Sequence, residues 1–265
     1  MPPRPAPTHF LCIPLVTGTS RPQVSASLAA FKADVTSPDS FGVPEQAVRP
    51  LGTLHLTLGV MSLSPNSKNE QSLDNAVALL RSLRPGRILA GIRGEVVEEE
   101  EGKKEQGKER DPSLTVTLKG LASMQPAAKA SVLYAPPVDD DDANGGNVSL
   151  LTKFCEQIRA TFIDAGLMEK EDRPLLLHAT ILNTIYIKVG GGRGGRGGGG
   201  GGKHQKRLTV DARGMLDRYA DYIWMKDVPV EKLAICRMGA KAVEGGDGEG
   251  ETGDAAYVVE SWIDV

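Results

Sequence analysis

Short stretches of alternating apolar and polar residues recur along the chain and predict β-strands. Alternation with a period of two is typical of a strand that has one buried face. The pattern predicts strands over the following ranges: 8–16, 54–60, 89–97, 113–119, 130–136, 175–182, 231–238 and 256–263.

Apolar residues at helical spacing predict four helices between these strands. Their apolar stripes are Val24, Leu28, Phe31 and Val35; Leu73, Ala76, Val77, Leu80 and Leu83; Leu150, Leu151, Phe154, Ile158 and Phe162; and Met215, Leu216, Tyr219 and Ile223. The second helix should stop at Pro85-Gly86 and the last should begin at Asp211. The third should begin at Asn147, a good N-cap, and stop at Gly166. Helices interleaved with hairpin-like strands favour an α+β fold of two lobes with mainly antiparallel sheets.

Several segments lack the apolar residues that a packed core requires. Residues 1–7 are rich in proline and are predicted to be a disordered tail. Flexible insertions are predicted at 98–111, which is a mixed-charge run, at 190–206, which is mostly glycine, and at 242–254. The remainder of 8–265 is predicted to be a single bilobal domain.

Composition narrows the class of protein. The chain has 265 residues with a net charge of −3 and a pI near 5.9, which argues against binding nucleic acid through a generally basic surface but leaves room for a local basic cleft. No apolar run approaches the roughly 20 residues of a membrane span, and no signal-peptide core is present. Cys12, Cys155 and Cys236 are far apart, and no Cys-x-x-Cys pair occurs. They are interpreted as buried, reduced thiols of an intracellular protein.

One short motif occurs twice in the predicted strands. Residues 54–58 read Leu-His-Leu-Thr-Leu, and residues 177–181 read Leu-His-Ala-Thr-Ile. Side chains two apart in a strand share a face and are roughly 7 Å apart. His55 and Thr57 should therefore share one face of their strand, as should His178 and Thr180.

Two such pairs meeting at one place would suit the chemistry of a phosphodiester. Imidazole titrates near neutral pH, so one histidine can act as a base while the other acts as an acid. The threonine hydroxyls can donate hydrogen bonds to phosphate oxygens. A lone histidine on a strand is usually structural, but this motif is duplicated in a chain with only four histidines. His9 is interpreted as structural and His204 as part of an exposed loop.

Two other kinds of catalytic site fit the sequence less well. Zinc sites need three or four ligands at short spacings, and neither His55 nor His178 has a Cys, Asp, Glu or second His within two residues on its strand face. A Ser-His-Asp hydrolase would show a Gly-x-Ser-x-Gly elbow, which this sequence lacks. No metal and no cofactor are therefore expected.

The paired motifs resemble those of the two-histidine (2H) phosphoesterase superfamily, which includes RNA-ligase-like and cyclic phosphodiesterase proteins. The closer resemblance is to the phosphoesterase-like domain shared by A-kinase anchoring protein seven and the first subunit of the activating signal cointegrator complex. It rests on Thr8-His9-Phe10-Leu11-Cys12-Ile13-Pro14-Leu15, Leu54-His55-Leu56-Thr57-Leu58, Val132-Leu133-Tyr134-Ala135, Leu177-His178-Ala179-Thr180-Ile181-Leu182-Asn183-Thr184, and the closing strands around Ile235 and Trp262. It covers nearly the whole chain apart from the insertions.

The resemblance implies a bilobal 2H phosphoesterase fold with two mainly antiparallel sheets and flanking helices around a central cleft, and it implies that the two motifs face each other across this cleft. It implies that His55 and His178 are the acid–base pair and that Thr57 and Thr180 hold the substrate phosphate. The implied reaction is metal-independent hydrolysis of RNA ends, 2′,5′ linkages or cyclic phosphates, with the assignment of base and acid left open.

In an alternative interpretation, a protein with this fold binds its ligand without catalysing a reaction. The chain would then be a nucleotide- or RNA-end-binding module of a nuclear transcription-coactivator or DNA-repair complex. Under either reading we expect an RNA terminus or a small nucleotide as ligand, no membrane association, a monomer, and a location in the nucleus, the cytoplasm or both.

Overall fold

The computed structural model describes residues 5–64, 71–94, 114–138, 147–185, 187, 208–243 and 254–265. The predicted insertions 98–111 and 190–206 lie outside the described residues, as do 244–253 of the third insertion and 1–4 of the predicted tail.

Five α-helices and twelve strands make up the described chain. The helices are α1 Arg21–Thr36, α2 Leu73–Ser82, α3 Pro85–Arg93, α4 Asn147–Asp164 and α5 Arg213–Arg218. The strands are β1 His9–Pro14, β2 His55–Met61, β3 Thr115–Lys119, β4 Ala122–Ser123, β5 Val132–Ala135, β6 Pro137–Val138, β7 Ala179–Asn183, β8 Ile223–Pro229, β9 Lys232–Arg237, β10 Lys241–Ala242, β11 Ala255–Ala256 and β12 Val259–Asp264. None of the helices in the described ranges is both long and apolar enough to cross a bilayer.

The strands form three antiparallel sheets. The largest has seven strands in the order β12-β9-β1-β2-β7-β5-β4. A three-stranded sheet has the order β6-β3-β8, and β10 pairs with β11. The α+β fold with mainly antiparallel sheets, as predicted, is thus confirmed.

The seven-stranded sheet buries its two faces differently. On one face, called here the core face, alternate residues such as Leu11, Ile13 and Leu56 pack into the main hydrophobic core with Phe31 of α1 and Phe154 of α4. The intervening residues of β1 and β9 form a second, smaller buried cluster on the opposite face; they are Phe10, Cys12, Ala234 and Cys236, with Tyr257 packed against them. A sheet with apolar residues on both faces at β1 and β9 must be covered there on both sides.

The predicted strand over 89–97 is wrong for the part that the structure describes. Residues 85–93 form α3, which begins at Pro85, and α2 ends slightly before the predicted stop, at Ser82. A proline is well placed there because the first residues of a helix have no intrahelical partner for their N–H groups. Ile88, Leu89 and Ile92 then share the face that packs on the core.

Two further element predictions need correction. Ile223 does not belong to the last helix but begins β8, a strand that the apolar pattern did not reveal. The strand predicted at 175–182 is shorter, because β7 begins at Ala179 and residues 175–178 lead into it without pairing. The predicted helix end at Gly166 is confirmed, since this residue has a φ of 71° and follows α4 closely.

The prediction of buried, reduced cysteines is also confirmed. Cys12, Cys155 and Cys236 are all buried free thiols. The sequence spacing did not reveal that Cys12 and Cys236 are neighbours, with their Sγ atoms 3.8 Å apart on the adjacent strands β1 and β9. The adjacent sulfur and burial raise the pKa of the Cys12 thiol well above its usual value, so this thiol remains protonated.

Candidate active site

The two His-x-Thr motifs meet where β2 and β7 pair. Leu56 is the antiparallel partner of Ala179, and both side chains are fully buried in the core. Neighbours in a strand point to the opposite face, so the residues on either side of this pair point away from the core. We call the face that they share the site face, and the Leu56–Ala179 pairing the seam.

The register at the seam sets how the four motif residues lie. In an antiparallel pair the residues before one partner oppose the residues after the other, so His55 opposes Thr180 and Thr57 opposes His178. Directly opposed side chains have Cβ atoms about 5 Å apart, and diagonal ones are about 7–8 Å apart. The two histidines therefore occupy one diagonal of a small square and the two threonines occupy the other.

This arrangement differs in one respect from the arrangement expected from the sequence. The two motif strands were expected to face each other across a cleft, whereas β2 and β7 are side-by-side neighbours in one sheet. The sheet nevertheless consists of two halves, because the pairing of β2 with β7 is limited to the seam. A separate bridge between Val48 and Leu182, together with the Arg49 N–H that donates to the Ile181 carbonyl at 2.8 Å, holds the halves together further along β7.

Each motif histidine is held by the same local hydrogen bond. His55 Nδ1 lies 2.7 Å from the Thr53 carbonyl oxygen, and His178 Nδ1 lies 2.8 Å from the Leu176 carbonyl oxygen. A carbonyl can only accept, so Nδ1 must carry the hydrogen in both rings. Nε2 is therefore the ring atom left to exchange a proton with a ligand.

The surroundings of the two histidines differ. The His55 ring packs against Phe10 and edge-on against Tyr257, with ring centroids 4.8 and 5.3 Å away. The pKa of His55 is lowered to about 4. Burial is the main cause, the hydrogen bond to the Thr53 carbonyl opposes the shift, and the positive charges of Arg49 and His178 add to it. His178 is partly exposed, and its ring contacts Tyr134 at 5.4 Å.

The threonine hydroxyls are open to a ligand. Within the described part of the chain, neither Thr57 nor Thr180 has a hydrogen-bond partner for its hydroxyl, and both side chains are partly exposed. By contrast, the hydroxyl of Thr53 donates to the Pro50 carbonyl and that of Thr184 to the Leu208 carbonyl. The hydroxyls of the motifs are thus available to phosphate oxygens.

Four residues near the histidines were given no role from the sequence, namely Phe10, Arg49, Tyr134 and Tyr257. Tyr134 is the register partner of Thr180, which places it on the site face. Arg49 donates from its guanidinium to the Tyr257 hydroxyl at 3.0 Å, so these two residues form one unit beside His55.

The chain around Tyr257 approaches the loop before β2 very closely. The Gly52 N–H donates to Asp254 Oδ1 at 3.0 Å, and a Cβ added at Gly52 would lie 2.8 Å from the Ala255 carbonyl oxygen. Only glycine fits this contact without displacing backbone. Gly52 therefore allows the segment that carries Tyr257 to reach His55.

The other chemically relevant features lie away from the motifs. A cavity of about 640 Å³ opens between α1 and the loop before β2; Arg49 lines it, but neither motif histidine does. His9 is buried, with Nδ1 2.8 Å from the Thr8 hydroxyl, which agrees with a structural role. His204 lies outside the described residues. Across the described ranges, no three His, Cys, Asp or Glu side chains are grouped to hold a metal ion.

Two His-x-Thr pairs on one face of an antiparallel α+β fold define a two-histidine phosphoesterase-like protein. Residues 7–246 match the family model of the AKAP7 2′5′ RNA ligase-like domain, and the chain belongs to this family. The prediction of the 2H phosphoesterase superfamily is thereby confirmed.

Individual relatives are more distant. The chain is 26% identical over 235 residues to the uncharacterized protein C15D4.13c of Schizosaccharomyces pombe, covering 87% of this chain and 86% of the relative. Among solved structures, it is 15% identical to E. coli LigT complexed with 3′-AMP, covering 98% of each chain with a TM-score of 0.46. It is 16% identical to the protein TT0787 of Thermus thermophilus, covering 97% of each chain with a TM-score of 0.43.

Proposed function

We propose that this protein is a metal-independent phosphodiesterase that acts on RNA ends, 2′,5′-linked nucleotides or cyclic-phosphate nucleotides. Membership of a 2′5′ RNA ligase-like family supports a phosphodiesterase of RNA ends in general terms. The observation that carries the proposal is the square of two imidazoles and two free hydroxyls, with each Nδ1 held by a carbonyl and each Nε2 available.

The unequal surroundings of the histidines suggest which is base and which is acid. With a pKa near 4, His55 is neutral at neutral pH, and its Nε2 has a free lone pair. His55 Nε2 would take the proton of the attacking water or hydroxyl as the new P–O bond forms. His178 would act as the imidazolium, with Nδ1–H held by the Leu176 carbonyl, and would give its Nε2 proton to the leaving oxygen as the old P–O bond breaks. Thr57 and Thr180 would donate to the non-bridging oxygens, where negative charge increases in the transition state.

The test is hydrolysis in EDTA of a 2′,3′-cyclic nucleotide, a 2′,5′-linked dinucleotide and its 3′,5′ isomer. His55→Ala and His178→Ala should each lower kcat by roughly 10²- to 10⁴-fold. The double variant should lose little more than either single variant, because an acid and a base in one step act as a unit. His204→Ala, a histidine outside both motifs, is the matched control.

Three outcomes would contradict the proposal. Turnover that survives both substitutions would show that the square is not the catalytic centre. Saturable binding of AMP or of an RNA end to the wild-type protein, with no turnover of any of the three substrates, would instead indicate a binding module. Loss of activity in EDTA that zinc or magnesium restores would contradict metal independence.

A further inference from the structure

An exposed cation–aromatic pair lies on the site face at the edge of the sheet. Lys232 Nζ is 3.9 Å from the ring centroid of Trp262, and Trp262 is 48% exposed. Trp262 pairs with Ala234, Ala234 with Cys12, and Cys12 with Thr57. Directly paired residues of antiparallel strands share a face, so Trp262 is on the same face as the motif residues, three strands away from Thr57.

Tyr257 lies between this pair and the histidines. Two buried residues, Ala234 and Cys12, separate Trp262 from Thr57 in this row. Tyr257 packs against the buried cluster that contains both of them. Tyr257 in turn contacts His55 edge-on. A chain that leaves the motif square along the site face therefore crosses one tyrosine and then reaches the exposed tryptophan.

The spacing suits a strand of several nucleotides. Neighbouring strands are about 4.8 Å apart, so three steps amount to roughly 14 Å. Stacked nucleotides of one strand advance about 3.4 Å each, so about four of them span this distance and fewer do so when extended. A base joined directly to the phosphate at the square is too near to reach Trp262.

The chemistry of the pair also suits a nucleic-acid strand. An exposed aromatic ring gives a base a flat surface on which to stack, and a nearby ammonium group attracts the phosphate. Lys232 has no carboxylate within ion-pairing distance among the described residues, although Asp264 opposes it in the register. The positive charge is thus available to an anionic ligand.

We propose that Lys232 and Trp262 bind a base and a phosphate of a single-stranded oligonucleotide whose scissile phosphate lies at the motif square. This inference rests on the proposed function, and it narrows the substrate to a nucleic-acid strand rather than a free mononucleotide.

Intrinsic fluorescence tests the proposal directly, because the chain has two tryptophans and Trp224 is buried. RNA homopolymers of increasing length are titrated into the His178→Ala variant, in which turnover is suppressed. Quenching of Trp262 is expected with strands of about four or more nucleotides and not with a mononucleotide. Trp262→Phe should remove the quenching and retain the affinity, because phenylalanine can still stack.

Affinity and salt dependence separate the two side chains. Trp262→Ala should weaken binding of the longer strands roughly 5- to 150-fold, the effect of removing one base–aromatic stack. Lys232→Met should reduce the slope of log affinity against log salt concentration by about 0.7, the value for one lost phosphate contact on a single strand. Ile223→Ala is the control, since Ile223 is equally exposed but belongs to the three-stranded sheet.

The results distinguish failure of this inference from failure of the proposed function. If the wild-type protein cleaves RNA ends but Trp262→Ala binds RNA strands as tightly as the wild type, the Lys232–Trp262 site is contradicted and the phosphodiesterase function is not. Length-dependent quenching without any hydrolysis by the wild-type protein would support the site and count against turnover. Equal quenching by a mononucleotide, or quenching by peptides but not by RNA, would overturn the site.

Discussion

At the scale of single residues, the two motif histidines share a local design and differ in what surrounds them. A carbonyl two residues earlier fixes the Nδ1 hydrogen of each ring. Only His55 is enclosed by Phe10, Tyr257 and the charge of Arg49, and burial together with positive charge lowers the pKa of this histidine. Unequal environments of this kind are how two identical groups take opposite acid–base roles.

The acidic limb of the pH–rate profile should report His55. A base must be deprotonated, so kcat/KM of the wild-type protein should fall only as the pH drops through about 4, the pKa of His55. Arg49→Gln removes a positive charge that lowers this pKa, so the acidic limb should move to higher pH. Arg49→Lys retains the charge and should leave the limb near its original position. The measurement is kcat/KM against pH for the three proteins, and an unmoved limb in Arg49→Gln would contradict this role of Arg49.

The sequence predicted the motif residues but not their neighbours, for a physical reason. The candidate pairs are visible because a strand has a fixed period, so a histidine and a threonine two apart must share a face. Arg49 and Tyr257 are 208 residues apart and meet only through the folded sheet. Their contact depends on long-range strand order and on the close approach at Gly52, and neither is encoded by a local pattern.

At the scale of elements, the apolar pattern predicted the regular helices and strands. It gave a wrong prediction where the residues at the ends of a segment determine its structure. The strand predicted over 89–97 fails at residues 89–93, which form the second half of α3. The ends of α3 decide otherwise: Pro85 suits a first helical residue, and Gly94, with a φ of 76°, suits the residue after the last turn. In β8, Asp227 has a φ of 52° and interrupts the alternation that would have revealed a strand.

Two glycines test this account of α3. Gly94→Ala should lower the free energy of unfolding by about 1–2 kcal/mol, because a Cβ disfavours the left-handed conformation. Gly86 lies inside the helix without a positive φ, and a Cβ there meets no atom within 4 Å. Gly86→Ala should therefore raise the free energy of unfolding by roughly 0.4–1 kcal/mol. Urea denaturation measures both changes, and a shift of the same sign in the two variants would contradict the assignment of the helix end.

At the scale of the whole molecule, the candidate site lies where two half-sheets join. The half-sheet β12-β9-β1-β2 contains His55. His178 lies directly before β7, a strand of the other half-sheet, β7-β5-β4. The pairing between them is one residue pair, Leu56 with Ala179. The distance between the two imidazoles therefore depends on the packing beneath this pair, and less on the rest of the core.

Two buried leucines can be compared to separate an effect on the catalytic geometry from an effect on the stability of the fold. Leu56 lies at the seam and Leu80 lies in α2, and both are fully buried. Leu56→Ala and Leu80→Ala should each lower the free energy of unfolding by about 2–5 kcal/mol. Of the two substitutions, only Leu56→Ala leaves a cavity directly beneath the imidazoles. Measured at a temperature where both variants are fully folded, kcat should therefore fall in Leu56→Ala and stay at the wild-type value in Leu80→Ala. If both variants keep the wild-type kcat, the seam does not set the catalytic geometry, and the square must be held by the Arg49–Ile181 contact instead.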